Sequence, residues 1–192
     1  MSQRLVTIYD FPRRYEATQV DRIDSRGGKQ SYGFPDAVEL HAQPELTAHP
    51  ILDVEPWDGE PWLGVFHGGG YNSKNSLPSR LIGWPDERSI CVAYRGGAVV
   101  VRTDDPRSTY EIDSYPVRGV HVVPEYGLVL FAGFIEVVAY GRDGLAWRSG
   151  RIASDDVMIE GHDGDGLRVA GYVWGAFEHF TLDLSTGAKR SS

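Results

Sequence analysis

The chain has 192 residues, 41% hydrophobic and 11% aromatic, which excludes wholesale disorder and fits one domain able to bury most of its apolar surface. A formal net charge of -8 argues against a general nucleic-acid binder and against an anionic membrane surface, since both need cationic neutralisation of phosphates. That charge leaves room for a basic protein partner, and the 23 glycines and 11 prolines suit many strands joined by tight turns.

The first residues, Met1-Ser2-Gln3-Arg4, carry no signal-peptide hydrophobic segment. No run approaches the roughly 20 apolar residues of a membrane span, so a cytoplasmic location is expected. Leu5 to Tyr9 is a short strand candidate ended by Phe11-Pro12. From Arg13 to Gly33 the sequence is charged and polar, with a turn at Gly27-Gly28. A helix around Glu16 to Ile23 is one option, but its apolar spacing is sparse, and segment 1-35 is expected to be peripheral.

Pro35, Pro44, Pro50, Pro56 and Pro61 then arrive at short intervals and point to edge strands and turns. Ile51 to Glu55 and Trp62 to His67 are the expected strands there, joined by a turn at Asp58-Gly59. A loop begins at His67-Gly68-Gly69-Gly70 and runs to about Pro78. Arg80 to Trp84 is the next strand candidate, followed by a turn at Pro85-Asp86-Glu87-Arg88. Ser89 to Tyr94 and Ala98 to Arg102 read as a hairpin around Gly96-Gly97. Cys91 lies inside that apolar run; a lone cysteine permits no intrachain disulfide and reads as a buried, inert thiol.

A shift of 38 positions lays this hairpin on the next without a gap, Ile90 over Leu128 and Val99 over Val137. A further 38 brings Ala132-Gly133-Phe134 onto Ala170-Gly171-Tyr172, with Val173-Trp174-Gly175-Ala176-Phe177 read as an insertion. A unit near 40 residues built from paired strands is the rhythm of propeller blades. The expected fold is a single all-β domain, 1-192, of antiparallel meander sheets. Its repeat region spans 80-187 and is arranged as a propeller-like partial or four-bladed ring, with a β-sandwich as the alternative.

Two phrases carry a more particular resemblance. Thr181-Leu182-Asp183-Leu184-Ser185-Thr186-Gly187 looks like the strand and turn of the quinoprotein-dehydrogenase-type propeller repeat. Ala139-Tyr140-Gly141-Arg142-Asp143-Gly144-Leu145-Ala146-Trp147 is similar, with the tryptophan that such blades dock against the next sheet. The resemblance implies packed four-stranded sheets. It implies no quinone, because the cofactor-binding residues of those enzymes have no counterpart here, and no cofactor is expected.

Several residues invite chemistry. His67-Gly68-Gly69-Gly70 resembles the oxyanion-hole loop of lipases and esterases, where glycine amides approach the developing oxyanion. No Gly-x-Ser-x-Gly elbow accompanies it, and a tight turn needs the same glycines. A hydrolase centred on His67, Gly68 and Gly69, with Asp58, Ser73 or Asp86 brought near by folding, stays as an alternative. Asp163 and Asp165 open like a calcium loop but lack its later carboxylates, so an Asp-Gly turn is the plainer reading and no metal is expected. Asp104-Asp105 and Asp155-Asp156 read as solvated turns. The six histidines form no His-x-His or His-x-x-x-His pair, although folding could still bring them together.

The five tryptophans and ten tyrosines serve first as core and cross-strand pairs. Tyr172 and Trp174, in the expected insertion, are the candidates for a binding surface, whereas Trp147 is expected to be buried between sheets. The functional expectation is a non-enzymatic interaction module engaging a protein partner, either an adaptor or a toxin-neutralising protein. The alternatives are the hydrolase at His67 and a small-ligand or sugar-binding protein.

Overall fold

The computed structural model describes residues 4–23, 28–36, 38–39, 49–68 and 79–190, and these are all-β: no α-helix occurs among them. The chain divides into two compact units.

The first unit carries β1 (Val6–Ile8), β2 (Tyr15–Val20), β3 (Gln30–Phe34), β4 (Val38–Glu39), β5 (Ile51–Pro56), β6 (Trp62–Phe66), β7 (Arg80–Gly83), β8 (Ser89–Tyr94), β9 (Gly97–Arg102) and β10 (Thr109–Glu111). They form two five-stranded sheets, ordered β1-β7-β8-β9-β10 and β2-β5-β6-β3-β4. One apolar cluster joins them, with Tyr15, Phe34, Leu52 and Trp62 from the second sheet and Leu81, Ile90, Val92 and Val101 from the first. Every residue of β8 is buried, which is why its sequence is a continuous apolar run rather than an alternation. Cys91 sits in that run, fully buried.

The N-terminal expectation needs correction. The described residues of segment 1-35 are not peripheral: β1 pairs in parallel with β7, β2 pairs with β5, and Tyr15, Tyr32 and Phe34 are core residues. The sparse apolar spacing that weakens a helical reading of Glu16 to Ile23 is the period of two of a strand, with Tyr15 and Ala17 buried and Glu16 and Thr18 turned away. The β8–β9 turn is Arg95-Gly96, one residue earlier than expected, and both residues have positive φ (47° and 80°) as a type I′ turn requires.

The second unit carries β11 (Gly119–Val123), β12 (Leu128–Ala132), β13 (Val137–Gly141), β14 (Gly144–Arg148), β15 (Asp155–Asp163), β16 (Gly166–Val173) and β17 (Ala176–Asp183), with one 3-10 turn at Pro124–Tyr126. β11 to β14 form a four-stranded meander and β15 to β17 a three-stranded one. Leu130, Ala139 and Trp147 of one sheet share a cluster with Val157, Val169 and Leu182 of the other. Val99, Val129 and Val137 all lie on strands, as the apolar runs require.

The two hairpins that the 38-residue shift superposes do not share a register. Cys91 pairs with Val100, but Val129, 38 positions on, pairs with Tyr140 rather than Val138. The register slips by two because residues 133–136 link β12 to β13, whereas two residues link β8 to β9. An even slip leaves each side chain on its own face, so the core pattern survives it. The expected insertion is also absent. Val173 and Ala176 are paired strand residues, and Trp174-Gly175 is an ordinary two-residue hairpin turn.

The two sequence phrases quoted for the propeller resemblance meet in space. Trp147, on β14, donates its indole N–H to the Leu184 carbonyl just past β17 at 2.8 Å. The Asp183 carboxylate closes the following turn by accepting from the backbone N–H groups of Ser185 and Thr186, both at 3.0 Å. Gly187, with φ of 72°, lies flat against the indole: a Cβ there would fall 2.3 Å from a ring carbon.

Candidate functional site

β16 and β17 pair without interruption from Gly166↔Asp183 to Val173↔Ala176. Leu167, Val169, Phe180 and Leu182 face the core, so alternation puts Tyr172 and Phe177 on the opposite, outward face. These two residues are directly opposed, with ring centroids 6.5 Å apart, and each is 43% exposed. Met158, paired with Ala170, is a further exposed apolar side chain on β15. At the turn stands Trp174, 89% exposed, with φ of 46°. A shallow hollow of about 140 Å³ lies beside it, lined by residues 151–154, Val173 and Trp174.

The placement of Trp174 is unusual on two counts. A left-handed turn position favours Asn, Asp or Gly, and a large aromatic gains nothing from the turn itself. Its indole is not repaid by burial either. Tyr172, Trp174 and Phe177 therefore form an exposed aromatic patch at a hairpin tip, the composition enriched at contact hot spots.

A second hollow, of about 500 Å³, follows β17 and is lined by Glu160, Arg168, Glu178, His179, Phe180, Thr181, Lys189 and Arg190. His179 Nδ1 lies 3.1 Å from the Glu160 carboxylate. Arg190 clamps Asp165 at 2.7 Å and Asp183 at 2.8 Å, and this guanidinium holds both carboxyls below their ordinary range. Asp165 is paired with Arg190, and Gly164-Asp165 is a two-residue turn between β15 and β16. No group of three metal-ligating side chains occurs among the described residues.

His67 and Gly68 line an apolar pocket of about 80 Å³ in the first unit, with Phe34, Phe66, Tyr94 and Glu111. The ring of His67 lies 4.8 Å from that of His49, whose pKa is lowered by burial first and by His67 next. Gly68 has φ of 29°, and a Cβ there would meet the Tyr94 ring at 2.7 Å, so the backbone itself needs glycine. Gly69 and Ser73 lie outside the described residues. Asp58 pairs with Arg14 at 2.8 Å, and Asp86 accepts from the Ser89 hydroxyl at 2.9 Å; neither lines the His67 pocket.

Folding does bring two histidines together. His121 Nε2 lies 3.0 Å from His162 Nδ1, and His162 Nε2 lies 2.6 Å from Glu125 Oε1. With the carboxylate accepting, His162 carries its proton on Nε2, and His121 Nε2–H then donates to the bare Nδ1. Burial, then the neighbouring His162, lowers the His121 pKa.

Sequence reasoning placed Tyr172 and Trp174 at the surface and missed Phe177 and Met158. Extending the alternation of β16 through a two-residue turn would have found Phe177. The Glu125–His162–His121 chain carries no sequence signal, because His162 lies about forty residues from the other two. No helix among the described residues is long and apolar enough to cross a membrane. Compared with known proteins, the chain matches no family model and no curated protein.

Proposed function

We propose that this chain is a non-enzymatic, cytoplasmic interaction module that binds a protein partner through Trp174, Tyr172 and Phe177. The carrying observation is Trp174 itself, almost wholly exposed at a left-handed turn position that neither burial nor turn preference explains. Aromatic side chains of this kind are the ones that contribute most at protein interfaces. The net charge of -8 favours a basic partner, and neutralisation of a basic toxin-like enzyme fits that balance. The stacked meanders, and the docking of Trp147 on the turn after β17, support a propeller-like relation between the sheets of the second unit.

The test is affinity capture from native lysate with the wild-type chain, Trp174→Ala and the Tyr172→Ala/Phe177→Ala pair. A stoichiometric partner held by the wild type and weakened at least tenfold by folded variants supports the reading. A partner indifferent to all three substitutions removes the aromatic surface from it.

His67, which lines an apolar pocket and lies against the ring of His49, favours a second reading, a small hydrolase or ligand-binding protein. A panel of ester, phosphoester and glycoside substrates separates it from the first. Turnover lost in a folded His67→Ala variant would replace the interaction reading.

A further inference from the structure

We infer that the outer edge of β17 accepts an extended segment of a partner protein as an added antiparallel strand, with cationic side chains facing Glu178 and apolar ones beside Phe177. This deepens the interaction reading and rests on it, since the edge starts beside the same aromatic tip.

β17 is the last strand of a three-stranded sheet, while the other sheet of the unit has four. Its eight residues pair with β16 in unbroken register, and it contains neither proline nor bulge, the usual devices that blunt an edge. The direction of its free backbone groups follows from the tail. The Thr181 carbonyl accepts from the Arg190 N–H, and the Asp183 N–H donates to the Ala188 carbonyl, both at 2.8 Å. Thr181 and Asp183 therefore turn their backbone groups away from β16, and by alternation so do His179 and Phe177.

The tail also shows how the edge pairs. Leu182 and Lys189 form an antiparallel bridge, so a strand can add here, and in that direction. Among the described residues the tail's hydrogen bonds stop at Thr181, and Ala176 to His179 are all exposed. Main-chain groups of Phe177 and His179 then supply affinity, and the side chains around them supply preference, which is the logic of strand addition. A residue opposite Glu178 meets a carboxylate, which selects a cation, and one opposite Phe177 extends the apolar patch.

The probe is a capped eight-residue peptide of alternating Lys and Val, compared with the same peptide methylated at alternate backbone nitrogens. Amide exchange is followed by nuclear magnetic resonance on the intact chain. Saturable binding should slow exchange at Phe177 and His179 and leave Glu178 and Phe180, which face β16, unchanged. His179→Pro removes an outward N–H, not a β16 bond, and should weaken binding at least tenfold, as should methylation of the peptide. No saturable binding, or equal binding by the methylated peptide, overturns the inference even if His179→Pro does not fold. The two readings part cleanly. A native partner lost by Trp174→Ala but kept by folded His179→Pro leaves the aromatic surface standing and removes the edge. Peptide protection at the edge, with a native partner indifferent to Trp174→Ala, does the reverse.

Discussion

The indole N–H of Trp147 donates to the carbonyl of Leu184 at 2.8 Å, and this one bond ties the last strand of one sheet to the end of the last strand of the next. The first unit has a bond of the same kind between inner strands. Trp62 donates to the Thr103 carbonyl at 2.8 Å, and Thr103, like Leu184, is the first residue past a strand. Both tryptophans close the same phrase, Asp58-Gly59-Glu60-Pro61-Trp62 and Asp143-Gly144-Leu145-Ala146-Trp147. In each phrase the Asp sits in the turn and the Gly follows it, and the buried indole three residues beyond the Gly satisfies a strand-end carbonyl that would otherwise be stranded.

Trp147→Ala should destabilise the fold by about 3–5 kcal/mol, the usual cost of deleting a buried aromatic. Trp147→Phe keeps much of the volume but leaves the Leu184 carbonyl unpaired, and should cost about 1–3 kcal/mol. Chemical denaturation measures both, and a neutral Trp147→Ala would remove the docking argument.

Trp174→Ala should change stability by no more than about 0.5 kcal/mol, as for an exposed site away from any packed feature. The same denaturation series checks it. A loss as large as that of Trp147→Ala would assign Trp174 to the core and end its role as a contact residue.

Gly187→Ala places a methyl against the Trp147 ring at a backbone angle of 72°. Overpacking typically costs about 1–3 kcal/mol, and the left-handed backbone adds about 1 kcal/mol. Gly164→Ala, at φ of 55° with open space around it, isolates the backbone part alone. Thermal unfolding of the pair should show the larger loss for Gly187→Ala; equal losses would mean that the indole yields freely.

Acid should weaken the second unit through His121. Its folded pKa lies below the ordinary value because burial, then His162, disfavours the cation. The unfolded chain therefore binds the proton more readily, and stability is full above the unfolded pKa of about 6.5 and declines as pH falls below it. Denaturation midpoints between pH 7.5 and 5 should fall for the wild type and fall less for His121→Gln. Parallel curves for the two would remove this residue as a source of the acid sensitivity.

Strands whose faces differ, or whose whole length is apolar, were readable directly. The β5–β6 hairpin falls about Asp58-Gly59 as expected, and the continuous apolar run of β8 locates the β8–β9 turn to within one residue. β2 was obscured because Glu16, Thr18 and Gln19 outnumber its two inward residues, and a helix and a strand then differ by little. Trp174 was legible as an exposed aromatic but not as a turn residue, since few turns place tryptophan at positive φ. Pairing register and the approach of His121 to His162 depend on loop lengths and on how sheets stack, and neither is written locally.

The single thiol is buried at Cys91 and its pKa is pushed up by that burial, so it stays protonated and out of reach of alkylating reagents. The native chain is consequently a blank background for site-directed labelling. A Trp174→Cys variant would offer one reactive sulfur at the hairpin tip, and a maleimide dye placed there reports on whatever docks without any need to remove the natural cysteine.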